Sequence, residues 1–104
     1  MLIDMAIFNL GDDVYALYHD SEDDSRVVKG PQDESLYHID YSMNVTDAQG
    51  VKVGSAYCDD DGWVFTDLLL NREVFTKEKS TVRAEVNFVK HLLREKKTAK
   101  EYLK

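Results

Sequence analysis

The sequence predicts an α+β domain: an antiparallel meander of about five strands with a carboxy-terminal amphipathic helix packed on one face. Three observations carry this. Apolar and polar residues alternate through much of residues 1 to 70, between short turn segments. From about Thr81 the apolar period lengthens to that of a helix. The 104 residues, 43% of them apolar, suit a single domain with one core.

Residues 2 to 8 are apolar on both parities, as a strand covered on both sides would be. After a turn at Gly11, Asp12 and Asp13, residues 14 to 18 form the next strand. Residues 20 to 35, with Gly30 and the single proline Pro31, are the one long loop. The plainest strand is 36 to 46. There Tyr37, Ile39, Tyr41, Met43 and Val45 alternate with His38, Asp40, Ser42, Asn44 and Thr46, so one face is buried and one is wet. Asp47, Ala48, Gln49 and Gly50 make a hairpin turn, after which Val51, Val53 and Tyr57 resume the alternation. Asp59, Asp60, Asp61 and Gly62 turn the chain again into an apolar run over 63 to 70.

Residues 71 to 79 read in two ways. Either Asp67 caps a short helix through Thr76, or Asn71 and Arg72 turn the chain into one more strand over 73 to 76. In the last helix Val82, Val86, Val89 and Leu93 form an apolar stripe, widened by Phe88 and Leu92. Lys96 and Lys100 interrupt it, and Thr98 with Glu101 forms a capping box, so a kink or restart is expected near Thr98. Ala99, Tyr102 and Leu103 hold the tail, which projects past the sheet or packs on a second copy. Tyr37, Tyr41, Tyr57, Trp63 and Phe65 are expected to share the core with the helix.

Charge is divided along the chain. Residues 1 to 67 hold fifteen Asp and Glu against three Lys and Arg, a net of −12; residues 68 to 104 hold five against ten, a net of +5. A division of this size suggests two surfaces with different partners. Successive meander turns alternate between the two ends of a sheet, which puts loops 20 to 35 and 59 to 62 at one end. The expected acidic pole is Asp20, Glu22, Asp23, Asp24, Asp33, Glu34, Asp59, Asp60 and Asp61. That expectation depends on residues 26 to 28 not forming an extra strand. At about 100° per residue Arg83, Lys90, Arg94 and Lys97 share a basic stripe on the last helix.

No catalytic or cofactor motif emerges. Cys58 precedes three aspartates, which disfavour a thiolate, and it reads as a small buried or half-buried residue. His38, Asp40 and Ser42 are roughly 6.6 Å apart at alternate strand positions, too far for a catalytic relay. Asp59, Asp61 and Gly62 fit the middle of a calcium loop, but Tyr57 and Leu68 occupy its anchoring positions. His19 with Asp20, or His38 with Asp40, has no third metal ligand at recognisable spacing. No cofactor and no metal are therefore expected.

The longest purely apolar run, residues 14 to 18, is far short of the roughly 20 residues that cross a bilayer. Asp4 stands where a leader would carry positive charge, and one cysteine makes no internal disulfide. These features suggest a cytoplasmic protein with no membrane attachment. The reading of function is a non-enzymatic interaction domain whose acidic pole engages a basic protein, as an inhibitor or regulator of a nucleic-acid-binding protein, nucleic-acid mimicry included. The alternative is a nucleic-acid-binding or dimerising module using the basic stripe, although a net of −12 on the rest of the domain would repel nucleic acid. An enzyme is the weakest reading.

Overall fold

Turn-forming residues recur so closely along this chain that no strand exceeds nine residues, and eight strands result where about five are expected. In the computed structural model they are β1 (Leu2–Leu10), β2 (Asp13–Asp20), β3 (Ser25–Lys29), β4 (Ser35–Ile39), β5 (Asn44–Asp47), β6 (Lys52–Asp59), β7 (Gly62–Asp67) and β8 (Arg72–Phe75), followed by α1 (Thr81–Tyr102). The structure describes residues 1–102, with side chains for 1–96. All eight strands pair antiparallel in chain order within one sheet.

Two corrections to the strand reading arise from turns that alternation conceals. Residues 25 to 29 leave the predicted loop as β3, with Val28 fully buried. The predicted eleven-residue strand is a hairpin, β4 and β5, bent at residues 40–43. Asp40 accepts hydrogen bonds from the Ser42 and Asn44 amides, and Met43 takes a left-handed φ of 65°. Ile39 then pairs with Val45 on one face, so the period of two runs on unbroken across the bend. Residues 71 to 79 resolve in favour of the strand, β8.

β1 is an edge strand and is not covered on both sides: Leu2, Ile3, Met5 and Ile7 are all exposed. Its double-parity apolar pattern has another cause. The register shifts between Asp4 and Ala6, so Met5 sits in a bulge that reverses the parity of the residues before it.

α1 touches both β1 and β7. Six strand spacings would span roughly 29 Å in a flat sheet, whereas a helix is about 10 Å across, so the sheet must curl around α1. The concave face contributes Phe8, Leu17, Val28, Ile39, Val45, Val53 and Phe65, and α1 contributes Ala84, Phe88, Val89 and Leu92 to the same core. Full burial of each large apolar side chain supplies about 1.5–3 kcal/mol. Phe88 stacks on Phe65 with ring centroids 4.5 Å apart. It also lies directly over Gly54, where a Cβ would sit 2.6 Å from the ring.

The chain reaches α1 by crossing β7. The Trp63 amide donates to the Glu78 carbonyl at 2.9 Å, and Gly62, at φ 128°, leaves no room for a Cβ beside Glu78. Ser80 then starts the helix, its carbonyl accepting from the Ala84 amide. α1 is one helix through Tyr102, so the chain does not restart at Thr98. The side chains of Thr98 and Glu101 lie outside the described residues. Among the described residues no helix is long and apolar enough to cross a membrane.

Candidate functional site

Five of the seven strand connections open on an aspartate whose side chain builds the turn. Asp20 Oδ1 accepts from the Glu22 amide, Asp40 Oδ1 from Ser42 and Asn44, Asp47 Oδ1 from Gln49 and Val51, Asp59 Oδ1 from Asp61 and Gly62, and Asp67 Oδ1 from Leu69 and Leu70, all at 2.8–3.1 Å. Each carboxylate imitates a turn carbonyl and satisfies amides that the bend frees. Much of the acidity of residues 1 to 67 is therefore turn chemistry.

The turns divide between two ends of the sheet. The near end, where α1 begins, carries the turns after β2, β4 and β6; the far end, where α1 finishes, carries those after β1, β3, β5 and β7. Asp20, Glu22, Asp23, Asp24, Asp59, Asp60 and Asp61 thus share the near end, joined by Asp40. Asp33 and Glu34 do not belong with them, because β3 carries the chain to the far end first. The seven stay together because the split of residues 36 to 46 adds a second strand and restores the parity that β3 reverses.

Near-end carboxylates are held in place. Asp23 accepts from the Ser25 hydroxyl at 2.6 Å and the Ser25 amide at 3.1 Å, which keeps its carboxyl below the usual carboxylate range. Burial pushes Asp40 up, but hydrogen bonds from Asn44 and Ser42 outweigh it and the carboxyl is lowered overall. Asp24 lies 2.6 Å from His19 Nε2, and the terminal amine is 3.8 Å from both Asp20 and Glu22. Asp33 at the far end is paired with Lys29 at 3.6 Å.

Besides the more exposed Arg72–Glu95 pair at 3.3 Å, two largely buried pairs reach from the sheet to α1. Arg26 Nε donates to Glu85 Oε1 at 3.1 Å, with Glu85 wholly buried and its Oε2 without a partner. Burial pushes the Glu85 carboxyl up, only partly opposed by Arg26 and then His19. Asp67, also buried, has Oδ2 2.7 Å from His91 Nε2. The sequence reading misses both pairs. Glu85 left a signal, since at about 100° per residue it falls at the centre of the stripe made by Val82, Val89 and Leu92. Asp67 and His91, 24 residues apart on different elements, left none.

Beside Asp67 the sheet stands away from α1 and opens a far-end groove of about 590 Å³, walled by Leu36, Tyr37, Val53, Leu70, Leu92 and Leu93. Burial, with Asp47 and Asp67 nearby, raises the Tyr37 hydroxyl. Leu69, at the mouth, is 68% exposed. Asp47, Asp67, Glu95 and Lys96 line it as well, so the concavity is of mixed apolar and charged character.

In the basic stripe Arg83 and Arg94 are exposed, while the Lys90 ammonium lies 6.0 Å from the centre of the Phe8 ring. The Lys97 side chain lies outside the described residues. Cys58 is exposed, contrary to expectation: it keeps the parity of Gly54 and Ala56 but lies at the strand end beyond the core. Tyr37 and Phe65 are buried and Trp63 packs beside them, but Tyr41 occupies the β4–β5 turn and Tyr57 points to the convex face, so both are exposed. Asp40 binds Asn44 and not His38. Among the described residues no three His, Cys, Asp or Glu side chains gather as a metal would require. Comparison with protein-family models, with curated proteins and with solved structures finds no match.

Proposed function

We propose that this chain is a non-enzymatic interaction domain that holds a basic protein partner against its near end, as a regulator or inhibitor of a nucleic-acid-binding protein in the cytoplasm. The observation that carries this reading is the locking of near-end carboxylates by hydrogen bonds within their own turns. Flexible loop acids suit a regular cationic surface poorly, because each must be ordered on binding at about 0.5–1.5 kcal/mol. Asp20, Asp23, Asp40 and Asp59 are ordered already, and the lowered carboxyls of Asp23 and Asp40 stay ionised at neutral pH. Glu22, Asp60 and Asp61 lie among them with carboxylates that take no part in the turn hydrogen bonds.

The test reverses only charges that do not build turns. Immobilised chain should retain a basic protein from nuclease-treated host lysate, and Glu22→Lys with Asp60→Lys and Asp61→Lys should lose it at an unchanged melting temperature. Retention that survives this triple reversal, or that disappears on nuclease treatment of the unmodified chain, overturns the reading.

A further inference from the structure

We propose that the far-end half of β1 takes an added strand from a basic protein, an extended segment that lays a lysine or arginine side chain across the groove beside Ile7. This surface uses none of the near-end acids and does not depend on the reading given to them.

β1 is the open edge of the sheet. The other edge, β8, is four residues long, whereas β1 has nine and neither lysine nor proline to discourage a further strand. Its own obstacles, Asp4 and the bulge at Met5, stand in the near-end half, and residues 6 to 10 carry no charge. The ladder shows which backbone groups are unused. Leu10 faces Asp13 across a two-residue turn, and the Met1 carbonyl accepts from the Ser21 amide, so the residues between them that bond to β2 are Ile3, Ala6 and Phe8. Ile7 and Asn9 therefore point their amides and carbonyls away from the sheet, and no turn, loop or cap among the described residues reaches them. Both residues are exposed. An added strand satisfies donors and acceptors at that spacing.

Side chains beside this edge select what is added. Ile7 borders a groove of about 460 Å³ on the convex face, floored by Val14, Ala16 and Tyr18, with Asp12 and Asp13 at its far-end rim. Lys29 lines it too, but Asp33 holds that ammonium at 3.6 Å. Asp12 and Asp13 are exposed, and among the described residues neither is in an ion pair. A residue opposite Ile7 on an added strand carries its side chain on this same face, with Cβ atoms about 4.5–5.5 Å apart. A lysine or arginine there lays its methylene stem over the apolar floor and brings its charge to the two aspartates. A second copy is the wrong occupant. Its β1 would bring Asp4, Asp12 and Asp13 to the same acids, and the first basic residue of the chain is Arg26.

The probe is a synthetic octapeptide of alternating lysine and valine, titrated against the full chain at low ionic strength. Binding should weaken about tenfold in Ile7→Pro, which removes one outward donor and no bond to β2. Asp12→Asn with Asp13→Asn should weaken it about fivefold and flatten its dependence on salt. Hydrogen exchange locates the contact: the peptide should slow the Ile7 and Asn9 amides, which exchange freely in the chain alone, and leave the Phe8 amide unchanged. The near-end variant Glu22→Lys, Asp60→Lys, Asp61→Lys should bind the peptide as the unmodified chain does. Absence of binding, or binding that leaves the Ile7 and Asn9 amides unprotected, overturns the proposal. So does binding indifferent to both the Ile7 and the aspartate variants, or binding lost in the near-end variant. Protection of those amides in the chain alone that rises with its concentration also overturns it, since a second copy would then hold the edge.

Discussion

Arg26 and Glu85 are 59 residues apart in sequence, and their 3.1 Å hydrogen bond ties β3 to the buried face of α1. Neither residue has another charged partner within 4.0 Å among the described residues, and one carboxylate oxygen is left without any partner. Removing one member of such a pair strands a buried charge, whereas replacing both with apolar groups is often neutral or better. Arg26→Ala should therefore cost about 3–5 kcal/mol, a large part of a typical domain's stability. Arg26→Met with Glu85→Leu should recover most of that loss. Urea unfolding midpoints of the single and double variants measure the difference, and an equal loss in both would show that the pair acts through packing alone.

The same carboxyl makes stability depend on pH. Its folded pKa is raised above the ordinary value of 4.5, so the native state binds a proton more tightly than the unfolded chain does. The stability this contributes is fully present below 4.5 and is lost as pH rises through the folded pKa. Glu85→Gln lacks the titration, so it should gain relative to the unmodified chain as pH climbs from about 4 toward neutrality. Asp23 and Asp40, lowered, act in the opposite sense: their contributions are present above 3.8 and are lost as pH falls through their folded values. Paired unfolding curves across this range test the point, and a difference independent of pH would refute it.

Gly54 has no room for a methyl group under the Phe88 ring. Gly54→Ala should destabilise by about 1–3 kcal/mol through overpacking. Adding Phe88→Leu should cost less in the Gly54→Ala background than in the native one. A double-mutant cycle on melting temperatures measures this coupling, and strict additivity would contradict the contact.

Turn aspartates need an acceptor oxygen more than they need a charge. Asp59→Asn keeps an oxygen for the Asp61 and Gly62 amides and should leave stability within about 0.5 kcal/mol, whereas Asp59→Ala should lose about 1 kcal/mol. Asp47 offers the same comparison through Gln49 and Val51. Equal losses for Asn and Ala would mean that charge, not turn geometry, is what these positions supply.

Much of the fold was legible because the two periods differ so clearly. The helix from Thr81 and the turns at Gly50 and Gly62 stand where apolar spacing and glycine place them. Strand number was not legible. A hairpin bent through Asp40 and Met43 pairs Ile39 with Val45 on one face, so alternation alone cannot separate one long strand from two short ones. β1 misled for a related reason, since a bulge at Met5 gives an exposed edge the apolar pattern of a buried centre. The condition set for the acidic pole fails, since residues 26 to 28 do form a strand; seven of its acids still share the near end only because the unforeseen β4–β5 turn restores the parity, while β3 carries Asp33 and Glu34 away.

Local chemistry is what the sequence by itself determined: a strand-rich first part followed by one helix, the turns at Gly50 and Gly62, and the division of charge. All of these depend on neighbours within a few positions. Only the tertiary structure decided which carboxylates share an end, that Glu85 and Asp67 are buried against Arg26 and His91, and that a groove opens where the sheet parts from α1. Those outcomes depend on the number of strands and on the curl that brings β1 and β7 to one helix. Both arise from contacts between distant residues, whose pairing leaves no periodic trace in the chain.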